Sequence, residues 1–215
     1  MDIQKILAAV DHTLLRPEAT WEEIRQICED GAAFGCASVC IPPSFVKRAA
    51  DCLGDKLPVC TVIGFPNGYS TTAVKALEAA DAVANGAQEI DMVINIGWAK
   101  AGQWTDVEKD IAAVVKAAGS ADVKVIMENC LLTDEEKVQG CLAAQRAGAA
   151  FVKTSTGFSI SGATVEDVRL MRKTVGPDMG VKAAGGIRTK ETALAMLEAG
   201  ANRIGASATG AIIAE

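Results

Sequence analysis

The sequence of 215 residues holds one histidine, His12, and only 4% aromatic residues. A His/Cys zinc site is short of ligands, because the seven cysteines (28, 36, 40, 52, 60, 130 and 141) contain no Cys-x-x-Cys pair. An odd set of thiols in a chain this long also argues against a disulfide framework, so each is expected to pack as a small hydrophobe. No G-x-G-x-x-G occurs, which counts against an open doubly wound dinucleotide fold. Basic residues are in the minority, 21 Lys plus Arg against 27 Asp plus Glu, for a net charge of −6, and no Lys/Arg run appears. A nucleic-acid partner is therefore not expected. No apolar run approaches the roughly 18 residues of a membrane span, and the first residues lack a basic segment followed by an apolar one. No membrane association is expected, and the expected location is cytoplasmic.

What the sequence does have is 50% hydrophobic and 22% charged residues, enough apolar surface for a core. Short apolar runs alternate with amphipathic stretches from end to end, the rhythm of repeated βα units. Strands are expected at 37–41, 58–63, 89–95, 123–128, 150–155, 180–184 and 202–206, with Asp11 to Leu15 as a short first strand. Thr20, Thr133 and Thr164 each precede acidic residues, the pattern of a helix N-cap. Gly86-Ala87, Gly148-Ala149 and Gly200-Ala201 fit left-handed helix ends leading into strands. Eight units of about 27 residues leave room for a strand, a helix and two tight loops. The expected fold is α/β, a single (β/α)8 TIM-type barrel, with residues 1–215 forming one catalytic domain.

Reacting groups in such barrels project from the C-terminal ends of strands, so charges inside apolar strand runs stand out. Lys124, Lys153 and Lys182 are three such charges. Lysine is almost never fully buried unless paired, so these call for an anionic ligand, partner carboxylates or a reactive amine. Asp91 offers one carboxylate on the face shared with Val93 and Asn95. Paired with one lysine alone, it would more often be an internal ion pair than a catalyst. Glu89 has the same parity but lies near the strand entrance, where a surface role is expected. Lys153 and Lys182 are 29 residues apart, one βα period, which puts them on adjacent strands. A cationic neighbour in a partly dry cavity disfavours an ammonium and yields an amine able to attack a carbonyl carbon. The residues alone do not tell which of the two lysines is the nucleophile.

A second group follows the same strands. Gly185-Gly186-Ile187-Arg188-Thr189 trails the Lys182 strand, Gly205-Ala206-Ser207 trails the last strand, and Thr154-Ser155-Thr156-Gly157 adds hydroxyls and flexible backbone. This is where barrels cradle phosphate on backbone N–H groups. A reactive amine beside a phosphate cradle points to an enzyme acting on a phosphorylated aldehyde or ketone.

These residues stand in blocks that run nearly the whole chain: Asp11-His-Thr-Leu-Leu15, Cys40-Ile-Pro-Pro43, Thr61-Val-Ile-Gly-Phe-Pro66, Glu89-Ile-Asp-Met-Val-Ile-Asn95, Lys124-Val-Ile-Met-Glu128, Phe151-Val-Lys-Thr-Ser-Thr-Gly-Phe158 and Val181-Lys-Ala-Ala-Gly-Gly-Ile-Arg-Thr189. In this order the blocks resemble the deoxyribose-phosphate aldolase family, the last two most specifically. The resemblance implies that Lys153 forms a Schiff base, that Lys182 perturbs it and assists proton transfer, and that Asp91 is the general acid/base. It further implies that Asp11 supports Lys182, that Thr156 approaches a substrate hydroxyl, and that Cys40 lines the small aldehyde pocket. Gly157, Gly185, Gly186, Gly205 and Ser207 would serve the phosphate.

The implied reaction is reversible cleavage of 2-deoxy-D-ribose 5-phosphate into D-glyceraldehyde 3-phosphate and acetaldehyde, in deoxyribonucleoside catabolism, with no metal or organic cofactor. The alternatives are a Schiff-base aldolase with another donor, such as a ketone, and a non-catalytic sugar-phosphate binding barrel. Four positions depart from the family pattern. Phe158 stands where some relatives carry lysine, leaving the phosphate charge to Arg188, to Lys182 at a distance, or to backbone dipoles. Asn129 stands where threonine is frequent, and Ala184 and Ala208 where serine is frequent. The chain stops at Glu215, so the Tyr-ended tail of some members is not expected. A homo-oligomer, dimer or tetramer, is expected, with Trp21, Trp98 and Trp104 as contact or helix-packing residues.

Overall fold

The computed structural model describes residues 3–214; Met1, Asp2 and Glu215, the ends of the expected 1–215 domain, lie outside them. Eight parallel strands close on themselves in chain order: β1 Val10–Thr13, β2 Ser38–Ile41, β3 Val59–Ile63, β4 Glu89–Val93, β5 Asp122–Ile126, β6 Phe151–Lys153, β7 Gly180–Ala184 and β8 Arg203–Ala206. The closing pair is β1 with β8, Asp11 opposite Gly205. The helices are α1 Ile3–Leu7, α2 Trp21–Phe34, α3 Val46–Leu53, α4 Thr72–Ala84, α5 Ile96–Lys100, α6 Trp104–Ala118, α7 Asp134–Arg146, α8 Val165–Val175, α9 Lys190–Glu198 and α10 Thr209–Ala214. The barrel expected from the repeat rhythm is present, with all eight strands where the apolar runs lie.

Local chemistry sets the boundaries. The Thr20 and Thr133 hydroxyls accept from the backbone N–H of Glu23 and Glu136, and each glutamate returns the bond to its cap residue. Thr164 caps α8 by accepting from the Asp167 N–H at 3.1 Å. Such caps are worth about 1 kcal/mol each. Gly86, Gly148 and Gly200 follow the helix ends with φ of 104°, 79° and 113°, a backbone open to glycine and costly for other residues.

Alternation along the strands splits the molecule into two environments. Val10, Val39, Val59, Ile90, Val125, Val152, Val181 and Ile204 face outward and belong to one continuous apolar core with the helices. Burying a Val or Ile side chain contributes about 1.5 to 3 kcal/mol, which makes this shell the main source of stability. The opposite faces enclose the barrel axis and carry mostly polar groups: Asp11, Ser38, Glu89, Asp91, Lys124, Lys153, Lys182 and Arg203. Register brings these into one ring, with Asp11 opposite Ser38, Asp91 opposite Lys124, Lys153 opposite Lys182, and Lys182 opposite Arg203.

Trp21 stacks under the Arg48 guanidinium at 4.0 Å, and all three tryptophans, Trp21, Trp98 and Trp104, are partly buried and pack against the core. His12 is buried, with Nδ1 2.8 Å from Thr209 Oγ1. Among the described residues no helix is long and apolar enough to cross a membrane.

Candidate active site

The barrel interior is an ionic stack built on Asp91 at the middle of β4. Asp91 Oδ2 accepts from Lys153 Nζ and from Lys182 Nζ, both at 2.7 Å, and Oδ1 accepts from Lys124 Nζ at 3.1 Å. The three strand lysines are thus answered by partner carboxylates. Burial alone would raise the Asp91 carboxyl, but the Lys124, Lys153 and Lys182 ammoniums outweigh it and hold the group well below the carboxylate range.

Lys182 also meets Asp11 Oδ2 at 2.5 Å. Burial pulls Lys182 down, yet Asp11 and Asp91 together raise it above the ordinary lysine range. A carboxylate oxygen, which the strand spacing alone does not reveal, thus stands between Lys153 and Lys182, and Lys182 is held as an ammonium.

Beneath this level lies a floor of further charge. Glu89, expected at the surface, is only 6% exposed. Its Oε2 accepts from Lys124 at 2.6 Å, and Arg203 donates to both of its oxygens at 2.9 Å. Strand parity placed Glu89 inside; the entrance failed to expose it because Arg203 arrives from β8 to close the barrel over it. Arg203 also donates to Asp11 Oδ1 at 2.7 Å, as does Ser38 Oγ at 2.8 Å.

Above the ionic stack opens a cavity of about 610 Å³ at the C-terminal ends of the strands. Its walls include Lys153, Thr156, Gly157, Gly185, Gly186, Gly205 and Ser207, all residues singled out from the sequence, together with Phe158, Ala184 and Arg188. Lys153 is the interior lysine that reaches this wall; Asp91, Lys182 and Asp11 sit behind it. Gly185 has φ 86°, and a Cβ there would come within 2.8 Å of the Gly162 Cα, so the loop requires glycine on both counts. Arg16, not foreseen, also lines the cavity and pairs with Glu18 and Glu23 at 3.2 and 2.7 Å. Lys182, one of three candidates for meeting phosphate charge, is instead engaged by Asp11 and Asp91.

Cys40 is not on the large cavity's wall. It is buried with Cys60 and Val62, and Leu15 and Phe65 pack over them. Leu15, Val62 and Phe65 line a smaller apolar cavity of about 290 Å³ that meets the large one at Leu15 and Phe158.

Glu128 ends the Lys124-Val-Ile-Met-Glu128 block, and the sequence alone implies no role for it. It follows β5 in the left-handed backbone region, φ 57°, a conformation that costs a non-glycine residue about 1 to 2 kcal/mol. Its buried carboxylate accepts from the Thr156 backbone N–H at 3.2 Å and from the Thr156 hydroxyl.

Among the described residues, two groups have the ligand types for a metal ion within 4.8 Å: Cys40, Cys60 and Asp91, and Asp11, Cys60 and Glu89. In both, lysine ammoniums already supply the positive charge, since Asp91, Asp11 and Glu89 are each paired with Lys124.

A closed parallel barrel whose cavity ends on a strand-borne lysine, backed by a carboxylate and a second lysine, defines a barrel enzyme equipped for amine chemistry on a carbonyl. Comparison with known proteins agrees. The model of the DeoC/LacD family of aldolases matches residues 5–214, and the chain belongs to that family. It is 59% identical over 210 residues to the deoxyribose-phosphate aldolase of Streptococcus gordonii, covering 97% of this chain and 96% of that one. It is 58% identical over 215 residues to that of Bacillus mycoides, covering 99% and 95%. Among solved structures, the deoxyribose phosphate aldolase of Aeropyrum pernix, described as a tetramer, superposes with a TM-score of 0.93 at 31% identity, covering 99% of this chain and 91% of that one.

Proposed function

We propose that this aldolase cleaves 2-deoxy-D-ribose 5-phosphate reversibly to D-glyceraldehyde 3-phosphate and acetaldehyde. The observation that carries the reading is the placement of Lys153 alone of the interior lysines on the cavity wall, with Asp91 Oδ2 2.7 Å from its amine.

The Lys153 amine adds to the C1 aldehyde of the open-chain sugar, and loss of water gives an iminium. The iminium takes the electron pair of the C2–C3 bond as the C3 hydroxyl gives its proton through water to Asp91. Glyceraldehyde 3-phosphate leaves with a new carbonyl at that carbon. The enamine that remains is protonated at C2, with Asp91 and Lys182 returning the proton, and hydrolysis frees acetaldehyde and the Lys153 amine. Lys182, paired with Asp11 and Asp91, keeps a positive charge beside Asp91 while Lys153 changes charge.

Gly157, Gly185, Gly186, Gly205 and Ser207 are proposed to cradle the phosphate, with Arg188 and Arg16 supplying the charge that Phe158 does not. Thr156 lines the same cavity and is proposed to meet a substrate hydroxyl. Cys40 and its neighbours shape the base of the small apolar cavity. No step calls for a metal or organic cofactor.

The proposed setting is one domain spanning the chain, acting in the cytoplasm. A homo-oligomer, dimer or tetramer, is also proposed, in keeping with the tetramer described for the Aeropyrum pernix protein and the exposed Tyr69, Val74 and Leu77 at and before α4. Incubation with 2-deoxyribose 5-phosphate and assay of both products tests the activity. Lys153→Leu should abolish turnover. A ketone donor that outperforms acetaldehyde in the condensation direction would favour the alternative donor class, and sugar-phosphate binding without turnover would favour a binding protein.

A further inference from the structure

We infer that Glu128 is a positioning residue that makes Thr156 an acceptor-only contact, selecting substrates with a hydroxyl on the carbon that becomes C4 of the sugar phosphate. This rests on the aldolase reading above and deepens it.

Glu128 is only 2% exposed, and unlike Asp11, Glu89 and Asp91 it has no ion pair among the described residues. Its two oxygens both serve one residue, accepting the backbone N–H and the hydroxyl of Thr156. A carboxylate offers no hydrogen, so the bridging proton belongs to Thr156. The same hydroxyl oxygen accepts from the Phe158 N–H at 3.0 Å. A hydroxyl has one hydrogen and two lone pairs, and Glu128 and Phe158 take one of each kind.

What Thr156 presents to the cavity it lines is therefore a single lone pair. A ligand group opposite it must donate. With C1 on Lys153 and the phosphate among Gly157, Gly185 and Gly186, and with the C3 hydroxyl assigned to Asp91, the donor facing Thr156 is the C4 hydroxyl. A site built to bond a hydroxyl discriminates against analogues that lack it, because its own buried group is left unpaired. The left-handed backbone at Glu128 is what turns its carboxylate from the strand toward the loop after β6.

The test is the condensation of acetaldehyde with three acceptors: D-glyceraldehyde 3-phosphate, 3-oxopropyl phosphate, which lacks the 2-hydroxyl, and the 2-fluoro analogue, which can accept but not donate. Wild type should prefer the hydroxyl acceptor over 3-oxopropyl phosphate at least tenfold in kcat/KM, and the fluoro acceptor should show the KM of the unsubstituted one. Glu128→Gln, whose amide can donate to the Thr156 oxygen and free its hydrogen for the cavity, should bring the KM of the fluoro acceptor to within threefold of that of the hydroxyl acceptor, whereas Thr156→Val should cut the preference over 3-oxopropyl phosphate to threefold or less and Thr156→Ser should keep it. Borohydride trapping of acetaldehyde on Lys153, which does not depend on Thr156, shows whether each variant keeps an intact amine site. A Glu128→Gln enzyme that traps acetaldehyde normally yet discriminates against the fluoro acceptor as strongly as wild type overturns the inference. So does a wild-type KM for the fluoro acceptor equal to that for the hydroxyl one, a result that needs no variant. Wild-type protein that neither traps acetaldehyde nor condenses it overturns the aldolase reading itself, and the inference with it.

Discussion

Lys153 and Lys182 are direct partners across β6 and β7, and their ammonium groups share one oxygen, Asp91 Oδ2, at 2.7 Å each. The shared oxygen divides the labour between them: Lys182 has a second carboxylate, Asp11, while Lys153 has the open cavity.

Removing the shared charge should therefore cost both chemistry and stability. Asp91→Asn is expected to lower kcat by roughly 10²- to 10⁴-fold, the usual scale for a general acid/base. It should also destabilise the fold by about 3 to 5 kcal/mol, because three ammoniums lose their common partner. Steady-state kinetics and denaturant melts measure the two losses separately.

Glu89 should behave differently, since it lies at the N-terminal end of the barrel, where residues serve stability. Glu89→Ala leaves Lys124 and Arg203 short of a partner and should destabilise by about 3 to 5 kcal/mol. Turnover per folded molecule should change less than threefold, about 0.7 kcal/mol in barrier terms. A melt and an active-site titration check the pair.

The ionic stack also sets a pH window. Burial would raise Asp11, but Lys124, Lys182 and Arg203 hold it below its ordinary range. Its stabilising contribution is then complete above the unfolded carboxylate value near ~3.9 and is lost as pH falls through the folded one. Lys182 is raised, so its contribution is complete below the unfolded lysine value near ~10.4 and is lost as pH rises through the folded one. The stack should hold the melting temperature level between these limits. A Lys182-dependent inflection near neutral pH, seen by comparing wild type with Lys182→Met, would contradict it.

With no lysine at 158, the proposed phosphate site has two arginines on the cavity wall to meet the charge, Arg16 and Arg188. Arg188→Ala and Arg16→Ala should each raise KM for the phosphorylated sugar about tenfold or more, consistent with the ~1.5 to 3 kcal/mol of a hydrogen bond to a charged group. Activity on unphosphorylated 2-deoxyribose should be nearly unchanged. Parallel KM measurements on the two sugars decide it.

Much of this arrangement was legible in the residues. Lysines inside apolar runs cannot be buried unpaired, and the 29-residue spacing of Lys153 and Lys182 put them on neighbouring strands, as the register shows. The glycine runs after the strands marked the cavity wall. Glu89 was misplaced because its partner Arg203 comes from the far end of the chain, a contact visible only once β8 closes the barrel. The carboxylate between the two lysines was missed for a related reason: parity gave Asp91 a face, but not the height at which three strands converge on it. Glu128 carried no signal, since a non-glycine residue in a left-handed turn has no composition cue, and Arg16 sits in a polar loop like any surface arginine.

The central claim is that Lys153 is the amine that meets the substrate. Borohydride reduction in the presence of 2-deoxyribose 5-phosphate, followed by peptide mass spectrometry, should place the reduced adduct on Lys153, with Lys182 and Lys124 unmodified. An adduct on Lys182, or turnover with no adduct on any lysine, would contradict the account.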